Sequence, residues 1–267
     1  MEEFIKTWIG GTVLNSLRYF VISGIAFVPF YLLMKDRFMK EKIQSKAASK
    51  KDFVREVKDS VSTMLIFGLS GAFLLSSPIR EYTLLYDEVG KFGWLYFVLS
   101  ITIALIIHDT YFYWTHRWMH NKKVYKRMHL THHLSVNPSP WASYTFSALE
   151  GVVQSGIIWV LAFCFPMHKL ALILFTVVAF VINVYGHLGY EIMPLWYRKT
   201  PLFNWIATST YHNLHHSKFN GNYGLYFRWW DKWMGTEVPG YVKTYDIIQA
   251  RRKEKSVSET DQKGAIA

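Results

Sequence analysis

Long apolar runs constrain this chain more than any other feature. Thr12–Met34 is long enough to cross a hydrocarbon layer of roughly 30 Å at about 1.5 Å per residue. Ser60–Ser77 is shorter, contains glycine and stops at Pro78, and a third run begins near Phe92 and continues into His108. Ser147–Phe165 and Leu170–Gly186, parted only by Pro166–Lys169, read as a helical hairpin that dips out and returns. The expected fold is therefore an all-α integral membrane protein with about three transmembrane helices plus a helical hairpin. Pro29 is expected to kink the first span, and Arg18, near its outer end, to snorkel toward the headgroups.

Charge gives the spans a direction. The chain carries 30 Lys and Arg against 19 Asp and Glu, a balance that suggests nucleic acid until its placement is considered. The bases flank apolar spans instead, which fits membrane orientation and excludes nucleic-acid binding as a main role. Lys35–Asp59 holds nine bases and five acids, so it is expected on the cytoplasmic side as a solvated helix and linker, with the N-terminus outside. Met1–Lys6 is acidic and the following run is too long for a signal sequence, so a retained helix is expected there. The lone cysteine, Cys164, excludes an intramolecular disulfide and a thiolate metal site, and reads as a small buried hydrophobe.

Histidines collect where the spans re-emerge. Six of the eleven lie in His108–His133 and three more in Tyr211–His216. Their spacings are His-x3-His (His116, His120) and His-x2-His-His twice (His129, His132, His133; His212, His215, His216). Neutral imidazole offers one nitrogen to a metal while the other donates a hydrogen bond, and residues four apart on a helix share a face. Asp109, His116 and His120 fall within about 40° on one stripe, whereas His108 is turned about 80° from His116 and is a weaker ligand candidate. Three spans and a hairpin put all three boxes and His187 on one side, the cytoplasmic one, as a histidine-rich di-metal cap. Only His168 is left on the other side, as an exposed loop residue. The expected organisation is residues 1–92 as transmembrane helices and basic loop, 93–241 as the catalytic unit, and 242–267 as a charged, partly disordered tail.

These motifs resemble the fatty acid hydroxylase/sterol desaturase superfamily of membrane di-iron enzymes, in particular its bacterial-type sterol desaturase members. The resemblance covers roughly residues 101–241 and rests on D-x3-YWTHRWMH at Asp109–His120, MHLTHH at Met128–His133, NVYGHLGYE at Asn183–Glu191, STYHNLHHSKFNGNYG at Ser209–Gly224 and WDKWMGT at Trp230–Thr236. It implies that His116, His120, His129, His132, His133, His212, His215 and His216 are iron ligands, with His187 a ninth. Some members carry a second histidine four residues after the hairpin histidine, where this chain has Glu191. No cytochrome b5-like segment stands in the sequence, so electrons are expected from a separate donor of ferredoxin, cytochrome b5 or reductase type.

Nine imidazoles exceed what one ion of four to six ligands takes, and suit two. The expected chemistry uses two Fe ions with O2 as cosubstrate to remove hydrogen from an unactivated C–H bond of a lipid, whether fatty acyl, sterol or related isoprenoid. Oxygen rebound gives hydroxylation and loss of a second hydrogen gives desaturation, and both outcomes stay open. No catalytic side chain apart from the ligands is required. Asp109, Glu191, Asn213, Asp231 and His108 are candidates to orient the imidazoles from behind. Tyr111, Tyr113, Trp114, Trp118, Trp141 and Tyr144 either line a lipid slot or pack the helices, and Lys122, Lys123, Lys126 and Arg127 face lipid phosphates. A membrane di-metal hydrolase and a metal transporter or sensor are the alternatives. The first usually needs carboxylates that the boxes lack, and the second needs weak, spread-out sites.

Overall fold

The computed structural model describes residues 1–46 and 48–264, with side chains through Glu254. Helix α1 (Glu2–Phe27) opens the chain and runs on through a π-turn at Val28–Leu33. Pro29 accounts for that turn. Its nitrogen cannot donate and its ring crowds the preceding carbonyls, so the ladder widens and Met34 N–H reaches back to the Pro29 carbonyl at 2.9 Å. The expected kink is thus a widened turn, and the helix carries on as one span, Glu2–Leu33.

Helix α2 (Lys50–Ser76) starts about ten residues before the expected Ser60 boundary. A capping box starts it: Ser49 Oγ accepts from Asp52 N–H, and the Asp52 carboxylate accepts from Ser49 N–H. The basic segment here is not merely solvated. Glu56 is fully buried and its carboxylate takes Ser135 Oγ at 2.8 Å and Ser139 Oγ. Upstream, Ile43 N–H bonds to the Gly189 carbonyl and Gln44 Nε2 to Asn213 Oδ1, which sews the linker to the cap.

Helix α3 (Gly93–Met119) leads into box one. Two short helices, α4 (Tyr125–Met128) and α5 (Leu130–His133), carry box two. The hairpin is α6 (Ala148–Cys164) and α7 (Lys169–Gly186). Then come α8 (Ser209–Lys218), which carries box three, α9 (Trp229–Trp233) and α10 (Tyr241–Gly264). Four helices are long and apolar enough to span a membrane, and α6 is a shorter apolar partner to α7. The outward faces of α1 and α3 carry Leu17, Ile25, Leu32, Trp94, Leu95 and Val98 in exposed positions, as lipid requires. This is the multi-pass, mostly helical architecture that the apolar runs predict.

The membrane core packs α3 on α6 and α7 through Ala104, Phe112, Leu161, Ala171 and Phe175. A second cluster joins α1 and α2 to the Pro140–Tyr144 turn through Tyr19, Met64, Tyr144 and Phe180. Outside the bilayer, Phe203, Tyr211, Tyr241 and Tyr245 form the cap's own core around the buried Arg228, which pairs with Glu237 at 2.7 Å. Tyr241 and Tyr245 belong to α10, so the tail expected to be partly disordered begins as packed helix.

Three sequence expectations change. His168 is buried: its Nδ1 accepts from Leu170 N–H at 3.0 Å and its Nε2 reaches the Asp87 carbonyl at 2.8 Å. There, β1 (Leu85–Tyr86) pairs in parallel with β2 (Met167–His168) and closes the hairpin turn. Cys164, at the end of α6, is exposed rather than buried. Arg18 does not snorkel but turns into the bundle to meet Thr176, Asn15 and Tyr144.

Helices α1 and α2 cross at glycines. A Cβ on Gly68 would lie 2.7 Å from Thr12 N and against Thr12 Oγ1, whereas one on Gly10 meets nothing within 4 Å. Gly68→Ala is therefore expected to destabilise the protein by about 1–3 kcal/mol through overpacking. Gly10→Ala, in an open helical position, is expected to be neutral or stabilising by up to about 1 kcal/mol. Thermal midpoints of the two variants in one detergent check the contrast.

Candidate metal centre

The nine histidines of the three boxes and the hairpin end meet as two groups. His116, His120, His129, His133 and His215 form one, and His132, His187, His212 and His216 the other, with one nitrogen per ring within 4.8 Å of all the rest of its group. The boxes therefore interleave instead of each building a site. On α8, His212 and His216 are four apart and share a face, while His215 is rotated by about 100° to serve the other group. Box two repeats the division, sending His129 and His133 one way and His132 the other. The groups adjoin, with the rings of His133 and His216 5.0 Å apart.

Hydrogen bonds on the outer ring nitrogens fix which nitrogen faces inward. A carbonyl only accepts, so His116 Nδ1–H donates to Tyr223 O, His187 Nδ1–H to Asn183 O and His215 Nδ1–H to Gly221 O, each at 2.8 Å. His129 Nδ1 lies 2.7 Å from Glu150 Oε1. The three carbonyl-bound rings therefore present bare Nε2 lone pairs. His116 Nε2 faces His129 Nε2 at 2.9 Å, and His187 Nε2 faces those of His132, His212 and His216 at 3.3, 3.1 and 3.2 Å. His215 Nε2 is buried and has no protein partner. Where two bare nitrogens face each other across about 3 Å they repel, and a cation between them reverses the sign. Metal–nitrogen bonds of about 2.0–2.1 Å put neighbouring ligand atoms about 3.0 Å apart at a right angle and about 3.4 Å apart at a tetrahedral angle. The donor set and its spacing fit metal ions, one per group.

The rings are also held in the protonation state that ligation needs. Burial, with the neighbouring His215 adding to it, pushes His120 down to about 2. Burial pushes His187 and His215 down to about 4, against the opposing pull of the Asn183 and Gly221 carbonyls. His129, His132, His133, His212 and His216 lie well below 6.5 for the same first reason, with neighbouring imidazoles contributing. Neutral rings at pH 7 are ready ligands.

The residues expected behind the ligands act at one remove. Asp109 Oδ1 accepts from Tyr226 N–H at 2.7 Å and Phe227 N–H at 3.2 Å, and His108 Nδ1 meets Tyr226 Oη, so both anchor the 225–227 segment and belong to neither group. Asp231 accepts from Tyr223 N–H, Gly224 N–H and Thr236 Oγ1, which steadies the loop whose Tyr223 carbonyl holds His116. Glu191 takes Thr210 N–H and Oγ1 and pins the start of α8, and Asn213 bonds to Gln44. None of the five directly hydrogen-bonds a ligand ring.

Glu150, which the sequence reading passed over, does. It is fully buried on α6, and the signal for it was a lone acid inside the Ser147–Phe165 apolar run. The turn after α8 was missed as well. Phe219, Gly221 and Asn222 all adopt positive φ, and a Cβ on Gly221 would lie 2.5 Å from the Thr236 carbonyl, so glycine alone lets this loop fold back to hold His215.

A cavity of about 450 Å³ is bordered by α1, α2, α3, α6 and α7, and its lining includes His108 but none of the nine grouped histidines. Its walls include Phe112, whose ring lies 4.8 Å from that of His116, Phe146, 5.3 Å from His132, and Asn183, the partner of His187. Among the aromatics proposed for a lipid slot, Tyr144 lines this cavity. Trp114 and Trp118 point outward, and Trp141 packs on Tyr19.

A model of the fatty acid hydroxylase family matches residues 101–236. Lathosterol oxidase of Mus musculus is 32% identical over 233 residues, 85% of this chain and 72% of the relative. The Homo sapiens lathosterol oxidase is 31% identical over the same shares, and a Delta(7)-sterol 5(6)-desaturase of Schizosaccharomyces pombe is 31% identical over 86% of this chain and 70% of its own. No solved structure matches the chain. The chain belongs to the fatty acid hydroxylase family, a family of membrane-embedded, lipid-modifying oxidoreductases.

Two consequences of the site are measurable. Loss of the Glu150 carboxylate frees the His129 ring, so Glu150→Gln is expected to weaken metal binding about 10–100-fold, read by competition with a calibrated chelator. For the metal-free protein, rings neutral when folded but titrating near 6.5 when unfolded make the unfolded chain bind more protons below that pH. Its stability is therefore expected to be flat above about pH 7.5 and to fall from about pH 7 to pH 5, seen as a falling thermal midpoint.

Proposed function

We propose that this protein is an O2-dependent di-iron enzyme that hydroxylates or desaturates an unactivated C–H position of a membrane lipid. The observation that carries the proposal is an apolar cavity whose wall residues Phe112, Phe146 and Asn183 back directly onto His116 of one imidazole group and His132 and His187 of the other. His116, His120, His129, His133 and His215 would hold one iron, and His132, His187, His212 and His216 the other. Irons bound there, given O2 and electrons, supply the oxidising power for C–H cleavage.

The chain's residues do the rest. Nine neutral ligands leave more positive charge on the metals than the carboxylates of soluble di-iron bundles do. Glu150 and the three carbonyls hold ring orientation, so little reorganisation is needed during reaction. Phe112 and Phe146 separate the cavity from the His116 and His132 rings, presenting a lipid's apolar portion while excluding bulk water. The sterol-directed names of the relatives make a sterol or other extended lipid the first class to screen. Residues 93–241 are the proposed catalytic unit. Electrons would come from a separate protein of ferredoxin, cytochrome b5 or reductase type, and the Lys- and Arg-rich segments favour a cytoplasmic face for the centre and C-terminus.

The test is metal content after anaerobic Fe(II) loading of the detergent-purified protein. About two irons per chain are expected, with a spectrum that changes on O2 exposure, and about one iron in His132→Ala, which keeps the five-ring group but loses lipid oxidation. A single tightly held zinc, or iron content indifferent to His132, overturns the reading.

A further inference from the structure

Arg18 stands where a membrane protein has little reason to keep a cation. It lies near the middle of the Glu2–Leu33 span, and its guanidinium lines the cavity described above. Every hydrogen-bond partner it has among the described residues is neutral: Thr176 Oγ1 at 2.6 Å, and Asn15 Oδ1 and Tyr144 Oη at 2.5 Å each. The ion pairs among the described residues do not include it. The rings of Tyr144 and Phe180 lie 5.9 and 5.5 Å from its Cζ. A guanidinium has five N–H donors and cannot lose its charge in a protein. Three are used here, and the Nε–H is buried without a partner.

Neutral acceptors satisfy hydrogen bonds but leave the charge. An unbalanced cation inside a bilayer is costly, and such residues as a rule mark a ligand or ion pathway. The surrounding groups look arranged to hold this one in place: Asn15 sits one turn back on the same helix, Thr176 reaches across from α7, and Tyr144 closes the side toward the metal centre. Gln154, with its Nε2 also buried and unpartnered, lines the same cavity.

We infer that Arg18 is the anion-binding anchor of the substrate cavity, and that the substrate is a lipid with an anionic oxygen terminus, a carboxylate or a phosphate monoester, rather than a neutral alcohol. A hydroxyl would only add a fourth neutral acceptor, whereas an anion would also cancel the charge. The inference rests on the cavity being the substrate site, as proposed above, and it adds polarity and direction to that site. The anionic end lies at Arg18 and the apolar portion points past Tyr144 and Phe146 toward His132, with ring spacings of 6.4 and 5.3 Å along the way. Arg18 then sets which carbon reaches the centre, because the head is fixed and the chain is measured from it. It is a specificity-determining residue that touches substrate far from the reacting bond.

The experiment compares binding of oleate, oleyl phosphate, oleyl alcohol, methyl oleate and cholesterol to the full chain in neutral-lipid nanodiscs, without iron or an electron donor. At least one anionic ligand is expected to bind about tenfold or more tighter than the alcohol and the ester. Which one does so separates a carboxylate from a phosphate. Arg18→Gln is expected to abolish that preference while its iron content after loading stays at the wild-type level. Wild-type protein that binds the alcohol, ester or sterol as tightly as both anions overturns the inference without needing any variant to fold, as does an anion preference that survives in Arg18→Gln. Because binding is read without metal, a failed iron-loading experiment and a failed anion preference are separate results.

Discussion

Everything in this molecule answers to one unfavourable interaction, the crowding of bare imidazole lone pairs. Inner ring nitrogens lie 2.9–3.3 Å apart in two sets, where any two that are both bare repel. Here each component of the fold holds that arrangement before a cation arrives. Carbonyls at Tyr223, Asn183 and Gly221 take the outward protons of His116, His187 and His215, so the inward nitrogens of those three rings have no freedom to become donors. Burial keeps the rings outside the spans neutral, so the groups cannot relieve the strain by binding protons. The rigid helices around them deny the remaining escape, which is to swing apart.

The hydrocarbon-spanning part gives this cap its foundation. Box one is the last turn of a membrane helix, His187 caps another, and α2 brings the buried Glu56 beneath the loop that follows box two. Because α1, α2, α3, α6 and α7 all border the cavity, the same five helices that hold the ligand-bearing ends also shape the apolar space below them. A shift in one helix would alter ligand spacing and cavity shape together. Packing at Gly68 therefore bears on the centre even though it touches no histidine.

Much of this was legible in the chain. The apolar runs carry the architecture because only helices satisfy their own backbone in lipid, and the histidine spacing carries the ligand candidates because imidazoles four apart share a helical face. The rotation of His108 away from His116 likewise predicts its exclusion. The division of the nine into five and four is not encoded in any one box. It depends on which way α8 faces when it meets α5, a tertiary fact. Candidates next to the boxes, such as Asp109 and Glu191, were attractive by proximity in sequence, yet backbone amides claimed them. Glu150, seventeen residues past His133 and on a different helix, did what they were expected to do. The early start of α2 was hidden by its lysines, although Ser49-Lys-Lys-Asp52 is a readable cap. His168 and Arg18 were assigned to the membrane's edges by their polarity alone. His168 does stay in the hairpin turn, but buried against the Asp87 carbonyl, and Arg18 lies on the inward-facing side of α1.

The interleaving of the boxes also bears on how the protein is made. Both groups draw on α8: His215 completes one, and His212 and His216 supply half of the other. Chains emerge from the ribosome N-terminal end first and their parts fold as they appear. The spans and the first two boxes are therefore in place while neither group has its full set of donors. The four-ring group therefore cannot assemble until α8 has been made, after the membrane has already sorted the helices. A nascent chain stalled before Ser209 would hold four rings of one group, His116, His120, His129 and His133, but only His132 and His187 of the other. Completion of both groups thus requires a chain made through α8.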